Sequence, residues 1–403
     1  MKLALHQVYS PWWILIWGCG SPTYQPYEGE AYPNRRPALE VPAEGVGLVT
    51  DSRSDTLSVI DLVTGDRMAY YPAGRDPVTI DGPHHLAVDA EGRAVYITLT
   101  YPVIAGTRGP HTSHGLTTQP GYVQKLSLDD LRVLGQVRID NNPGDIVMSV
   151  DGHRLVTSHF DLQRPLDHPT DLAAARAPLA VMNPAEIAAS GSPAPTFIRV
   201  CVAPYGLALS GVAGDTALVA CYGEDVVAVV DLDHPDVEIL RVPVGPAPTA
   251  INPTYGPYAT ALTPDGSILA VSLLLSREVI FYSVADGVVS ATRVHTPGIP
   301  YALAWTPDGR QLYIATQSPD AVLVYDLEEE EILPTSRDFD PGECDAPRGI
   351  HVSADLDLFV VCEGDQLNPG TVLMLDGQTL ETAGSTEVGV YPDAFAQVVG
   401  GDP

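Results

Sequence analysis

The chain has 403 residues, with 21 Lys and Arg against 51 Asp and Glu, a net charge of −30. No basic surface remains that could neutralise a phosphate backbone, so nucleic acid is excluded as a partner, and the acidic excess chiefly serves solubility. Hydrophobic residues make up 45% while Gly (36) and Pro (37) are both abundant, which describes a large core built from many short strands and turns rather than from long helices.

The first segment differs from the rest. Lys2 is followed by an apolar stretch ending at Gly20 that is too short to span a bilayer, and residues 1–18 read as a signal peptide. Ile16-Trp17-Gly18-Cys19 resembles a bacterial lipobox with Cys19 as the lipidated residue, although Trp17 stands where that pattern prefers a small residue. Gly20 at the next position resembles outer-membrane sorting. Residues 19–44, rich in Pro, Tyr and Glu, read as a tether without packed structure. The location expected is an outer-membrane lipoprotein facing periplasm or cell surface, or otherwise a periplasmic or secreted protein.

From residue 45 onward one unit repeats. A leading strand of small residues runs into a Pro-Asp-Gly turn, in which Pro fixes φ and Gly tolerates φ > 0. Short β-branched and aromatic strands follow. In chain order, the first unit has strands at 47–50, 57–62 and 67–71 and no leading strand. The second has 83–89 and 94–99, an insertion at 101–120, then 122–126 and 133–139. The third has 143–148 and 154–158, an insertion at 159–177, then 179–183 and 196–200. The fourth has 204–210, 217–221, 226–232 and 237–242; the fifth has 257–263, 268–273, 278–283 and 288–294. The sixth, the clearest copy, reads PYALAWTPDGRQLYIATQSPDAVLVYDL over 300–327 and adds 331–335. The seventh has 347–353, 357–362, 371–375 and 380–388. Only 171–175 and 185–189 read as helical.

One leading strand, 391–398, then stands alone before a tail at 399–403. It supplies what the first unit lacks. The expected fold is therefore all-β, a seven-bladed β-propeller of four-stranded blades over 45–398, its ring closed by the C-terminal strand completing the N-terminal blade. Such a unit cannot bury both its faces alone, and closure removes the exposed sheet edges of an open array.

Four cysteines follow Cys19, in two matching frames: Cys201-Val-Ala-Pro-Tyr-Gly with Cys221, and Cys344-Asp-Ala-Pro-Arg-Gly with Cys362. One Cys precedes the Pro of a leading strand and the other ends the next strand, side by side in an antiparallel hairpin. The expected disulfides are Cys201–Cys221 and Cys344–Cys362, in keeping with an exported protein.

Leading strands of a propeller line its channel, so the residues after each leading Pro should ring one mouth: His84, Gly144, Tyr205, Tyr258, Tyr301, Arg348 and Asp393, with His85 and Asp145 one position on. These form either a polar cup for a small ligand or a plug of polar-tipped side chains. His111 and His114, spaced His-x-x-His in the first insertion, are candidate metal ligands. No other cofactor is expected. No GxSxG, HExxH, P-loop or GxGxxG signature is found, so no catalytic residue is named.

The stretches SDTLSVIDLVTGD and PDGRQLYIATQSPDAVLVYDL resemble the YVTN/YncE-like propeller repeat. More loosely the chain resembles lactonase and quinoprotein amine dehydrogenase propellers. The resemblance implies a fold more than an activity. The reading adopted from sequence is a monomeric, non-enzymatic binding or scaffold propeller at the cell envelope, engaging a protein or small ligand through channel mouth and inserted loops. The alternative is a propeller enzyme, a lactonase-like hydrolase or a redox enzyme, or an accessory protein of an envelope electron-transfer or metal system.

Overall fold

The computed structural model describes residues 38–39, 41–42, 45–75, 78–102, 115–246 and 253–399. Seven antiparallel sheets follow one another around a ring. Blade 1 runs outward as Pro392–Val398, Val46–Asp51, Thr56–Asp61 and Arg67–Pro72. The other blades each take four consecutive strands. Their innermost strands are Pro83–Asp89, Pro143–Met148, Pro204–Ser210, Pro257–Leu262, Ile299–Trp305 and Pro347–Val352. The ring closes as the sequence predicts: Leu48 pairs with Ala396 on one side and with Val59 on the other.

The second strand of each blade is buried on both faces, because a neighbouring blade covers it. Phe281 of blade 5 stacks on Tyr325 of blade 6, ring centroids 5.3 Å apart, within a cluster that also holds Leu312 and Trp305. The repeated acidic turns are self-contained. Asp308 accepts from Thr306 Oγ1 at 2.6 Å and from the Arg310 amide at 3.1 Å, while Gly309 takes φ +70°. Asp265 does the same with Thr263 and Ser267, which holds its carboxyl down at about 2. Another set of carboxylates caps the entry to the next blade. Asp225 accepts from the amides of Thr254, Tyr255 and Gly256, and Asp55 from those of Asp81 and Gly82. Part of the negative charge is therefore structural.

Both expected disulfides are present, with Cα atoms 5.9 Å apart in Cys201–Cys221 and 5.1 Å in Cys344–Cys362. The first joins the outermost strand of blade 3, Thr196–Cys201, to the second strand of blade 4, Thr216–Cys221, so it staples two blades.

Three expectations are refined. The 159–177 insertion carries two short helices, Gln163–Asp167 and Leu172–Ala175, the second capped by the Asp171 side chain. The outer edge of blade 6 is split into Glu331–Ile332 and Arg337–Asp338, both pairing with Ala321–Asp326. The end of the tether does pack: Leu39 is buried in the core shared by blades 1 and 2, and its amide donates to the Asp129 carbonyl at 2.7 Å. An apolar Leu gains more from that contact than from solvent.

Candidate functional site

The channel residues of all blades but the one carrying Tyr301 are aimed by the same local device. In six blades the residue before the leading Pro has positive φ: Gly82, Asn142, Ala203, Gly256, Ala346 and Tyr391. The left-handed residue and the fixed φ of Pro turn the chain sharply inward. The inner strands then approach closely enough that some positions exclude a side chain. A Cβ at Gly206 would lie 2.3 Å from the Tyr258 carbonyl oxygen.

The channel has two chemically different walls. On one, Tyr205 and Tyr258 stack at 3.8 Å, with Phe160 and Tyr301 edge-on to them. Burial raises the hydroxyl pKa of all three tyrosines, so they are donors, not anions. On the other wall Arg348 Nε donates to Asp393 Oδ1 at 2.6 Å, and both residues are buried. Burial is the largest single influence and opposes the guanidinium charge, but Asp393 and the neighbouring Tyr258, Tyr391 and Tyr205 together outweigh it, and the Arg348 pKa ends above its ordinary value. Arg348 also donates to the Tyr258 hydroxyl at 3.4 Å, joining the two walls.

Between the walls lie the histidines. His84 places Nε2 3.3 Å from Asp393 Oδ2 and Nδ1 3.2 Å from the Gly144 carbonyl. His85 places Nδ1 2.9 Å from Asp145 Oδ1 and Nε2 3.0 Å from the Tyr205 hydroxyl. Asp145 is itself held by the Leu207 amide at 3.1 Å. A cavity of about 230 Å³ remains among these side chains, lined by His85, Asp145, Tyr205, Tyr301, Arg348 and Asp393.

A groove of about 510 Å³ opens on the other side of Tyr301, lined also by Gln317, Asp320, Asp345, Glu363, Asp365 and Gln366. Glu363 is 4% exposed, and its Oε2 lies 3.6 Å from Arg348 Nη1. Burial raises its carboxyl to about 7, against the opposing pull of Arg348. The Tyr301 hydroxyl, buried between groove and cavity, makes no hydrogen bond to any of the described residues.

The structure thus brings together His84, His85, Asp145, Tyr205, Tyr258, Tyr301, Arg348 and Asp393. All but His84 line the cavity, and hydrogen bonds join His85 to Asp145 and Tyr205 and Arg348 to Asp393. His111, His114 and Cys19 lie outside the described residues. His159, at the start of the second insertion, is structural: it is fully buried, bonded through Nδ1 to the Pro178 carbonyl at 2.8 Å, and burial lowers its pKa to about 4. Glu363 was not singled out from sequence. The signal existed, since the residue after the second Cys of each frame turns toward the channel, as Tyr222 does in blade 4.

Residues 210–381 match the model of the family described as lactonase, 7-bladed beta-propeller. No curated protein matches the chain. Among solved structures, a Bacteroides fragilis propeller named as a candidate 6-phosphogluconolactonase is 15% identical, with a TM-score of 0.60, covering 89% of this chain and 99% of its own. The periplasmic gluconolactonase PpgL of Pseudomonas aeruginosa is 17% identical, with a TM-score of 0.61, covering 88% and 99%. Apo AztD of Citrobacter koseri is 12% identical, with a TM-score of 0.55, covering 88% and 97%. At these identities the structural neighbours establish the seven-bladed fold alone. The family match corrects the expectation of a non-enzymatic scaffold, because the matched stretch is that of an enzyme family and contains Tyr258, Tyr301, Arg348 and Glu363. The chain is similar to lactonase propellers, the looser of the resemblances read from its sequence.

Proposed function

We propose that the chain hydrolyses a small lactone at the junction of groove and channel, with Arg348 and Glu363 as the catalytic pair. The observation that carries this reading is that both residues fall inside the lactonase-matched stretch and meet 3.6 Å apart beneath an open groove. A carboxyl near 7 suits a general base at neutral pH. Glu363 takes a proton from water as the water oxygen bonds to the lactone carbonyl carbon. The oxyanion forms beside the Arg348 guanidinium, which is fixed by Asp393 before substrate arrives. The ring C–O bond then breaks, and the ring oxygen receives the proton back from Glu363 to give an open hydroxy acid. The Tyr301 hydroxyl donates to the substrate. Among the described residues the groove lining holds four carboxyls, Asp320, Asp345, Glu363 and Asp365, and no Lys or Arg. An uncharged lactone is therefore preferred over a phosphorylated one.

The test is hydrolysis of glucono-δ-lactone and of its 6-phosphate by protein purified without chelators. Expected are turnover of the neutral lactone, at least a 100-fold loss in Glu363→Gln and Arg348→Lys, and poor use of the phosphate. No turnover of any lactone tested, or wild-type turnover in Glu363→Gln, rejects the reading.

We also propose that the protein is exported and anchored through Cys19. The two disulfides support an oxidising compartment. Among the described residues no helix is long and apolar enough to cross a membrane. Fractionation of the native host, with Cys19→Ala releasing the protein from membranes, checks this; a cytoplasmic protein with free thiols refutes it.

A further inference from the structure

We propose that the channel wall opposite the tyrosines is a binding site for one divalent transition-metal ion, with His84, His85 and Asp393 as ligands. One donor atom from each of the three lies within 4.8 Å of the others. His84 and Asp393 are buried in the protein, so this is not a chance cluster of surface acids. The separation of His84 Nε2 from Asp393 Oδ2 is 3.3 Å. Two ligands bound at about 2.1 Å to a tetrahedral zinc stand about 3.4 Å apart. That pair already has the spacing of one edge of such a site.

The surroundings orient the donors. His84 Nδ1 faces the Gly144 carbonyl, and a ring proton held on Nδ1 by that acceptor leaves Nε2 as the ligand atom on the Asp393 side. A cation between Nε2 and the carboxylate is then shared by both. His85 is held through Nδ1 by the Asp145 carboxylate at 2.9 Å, the outer-sphere contact that fixes ring orientation in histidine–metal sites. Its Nε2 bonds the Tyr205 hydroxyl at 3.0 Å and needs only to exchange that partner. Arg348 takes the other oxygen of Asp393 and stays outside the coordination sphere.

The two carboxylates that face the histidines, Asp393 and the part-buried Asp145, outnumber the one guanidinium nearby, a balance that accommodates a dication. Two imidazoles and one carboxylate select zinc, cobalt, nickel or copper over magnesium or calcium. The remaining coordination position opens on the cavity of about 230 Å³, where water or a ligand could complete it. This site goes beyond the hydrolase reading and is tested without turnover, so either can fail alone.

The experiment is calorimetric titration of ZnCl₂ into the full chain after chelator treatment and dialysis. A Co²⁺ titration followed by visible absorption runs in parallel. Expected are one ion per chain and the intense visible bands of a four-coordinate cobalt centre. Asp393→Asn and His84→Gln should each weaken binding at least 100-fold. His85→Gln, the least buried of the three, provides the same readout if either of those variants fails to fold. His111→Ala/His114→Ala should bind like the wild type. No uptake by the wild type, uptake unchanged in the folded His85→Gln variant, or loss only in the His111→Ala/His114→Ala variant overturns the proposal.

Discussion

Blades 4 and 7 are built on the same frame. In blade 4, Cys201-Val202-Ala203-Pro204-Tyr205-Gly206 enters the channel and Tyr222 follows Cys221. In blade 7, Cys344-Asp345-Ala346-Pro347-Arg348-Gly349 enters and Glu363 follows Cys362. Ala203 and Ala346 share positive φ, 49° and 55°. The disulfides close loops of similar length, with separations of 20 and 18 residues. The fillings are opposite. Tyr205 stacks on Tyr258 and bonds His85, so blade 4 buries aromatic surface with its hydroxyl satisfied. Blade 7 buries Arg348 and Glu363, and each buried ion costs several kcal/mol that its partners only partly return. The frame belongs to the fold and is indifferent to the two side chains it presents. Stability is concentrated on the tyrosine wall and reactive charge on the other.

The comparison is most exposed at Arg348. Arg348→Met should lose about 3–5 kcal/mol, because Asp393 and Glu363 are left buried without their cation. Tyr205→Phe in the matching position should lose far less. Denaturant titration of both variants decides it, and equal losses would erase the distinction between the walls. Next come the disulfides. Cys201→Ala/Cys221→Ala and Cys344→Ala/Cys362→Ala should each cost about 3 kcal/mol, the loop-closure value for links of this length. Unequal midpoints in guanidinium would show that the frames are not equivalent after all.

A smaller effect separates the residues after the second cysteines. The Glu363 carboxyl is raised from 4.5 to about 7 in the fold. Its neutral form is favoured there, so its contribution is complete below pH 4.5 and lost as pH rises through 7. Glu363→Gln should therefore be more stable than wild type at pH 8, by about 3 kcal/mol from that shift. The gap should close as pH falls below 4.5. A pH series of unfolding midpoints reads it, and a gap independent of pH would break the assignment. Tyr222→Phe should show no such dependence. The smallest effect is Tyr205→Phe, about 1 kcal/mol for one neutral hydrogen bond to His85, checked by thermal unfolding.

Much of this was legible in the chain. The lone strand at 391–398 opposite a first unit lacking one foretold the closure that pairs Leu48 with Ala396. The cysteine frames foretold both disulfides. The residue after each leading Pro foretold which side chains converge, because a fixed repeat places equivalent positions at equivalent radii. Glu363 was legible only through the cysteine frame, in which it follows Cys362 as Tyr222 follows Cys221; the run Cys-Glu-Gly-Asp does not by itself distinguish a buried carboxyl from the solvated acids of other turns. Leu39 was hidden similarly, an aliphatic residue in a tether rich in Pro, Tyr and Glu.

The sequence by itself determined the number of blades, their closure, the staples and the list of residues that face the channel, because these follow from periodicity and from turn chemistry local to each repeat. The tertiary structure decided which residues on that list touch: that Asp393, brought in by the last strand, meets Arg348 and His84, and that Glu363 lies under Arg348 while Tyr205 lies under Tyr258. His84–Asp393 joins the two ends of the chain, Arg348–Asp393 and Tyr205–Tyr258 join neighbouring blades, and Glu363 meets Arg348 within blade 7. Their burial, which sets the charge state of each group, exists only once the ring has closed.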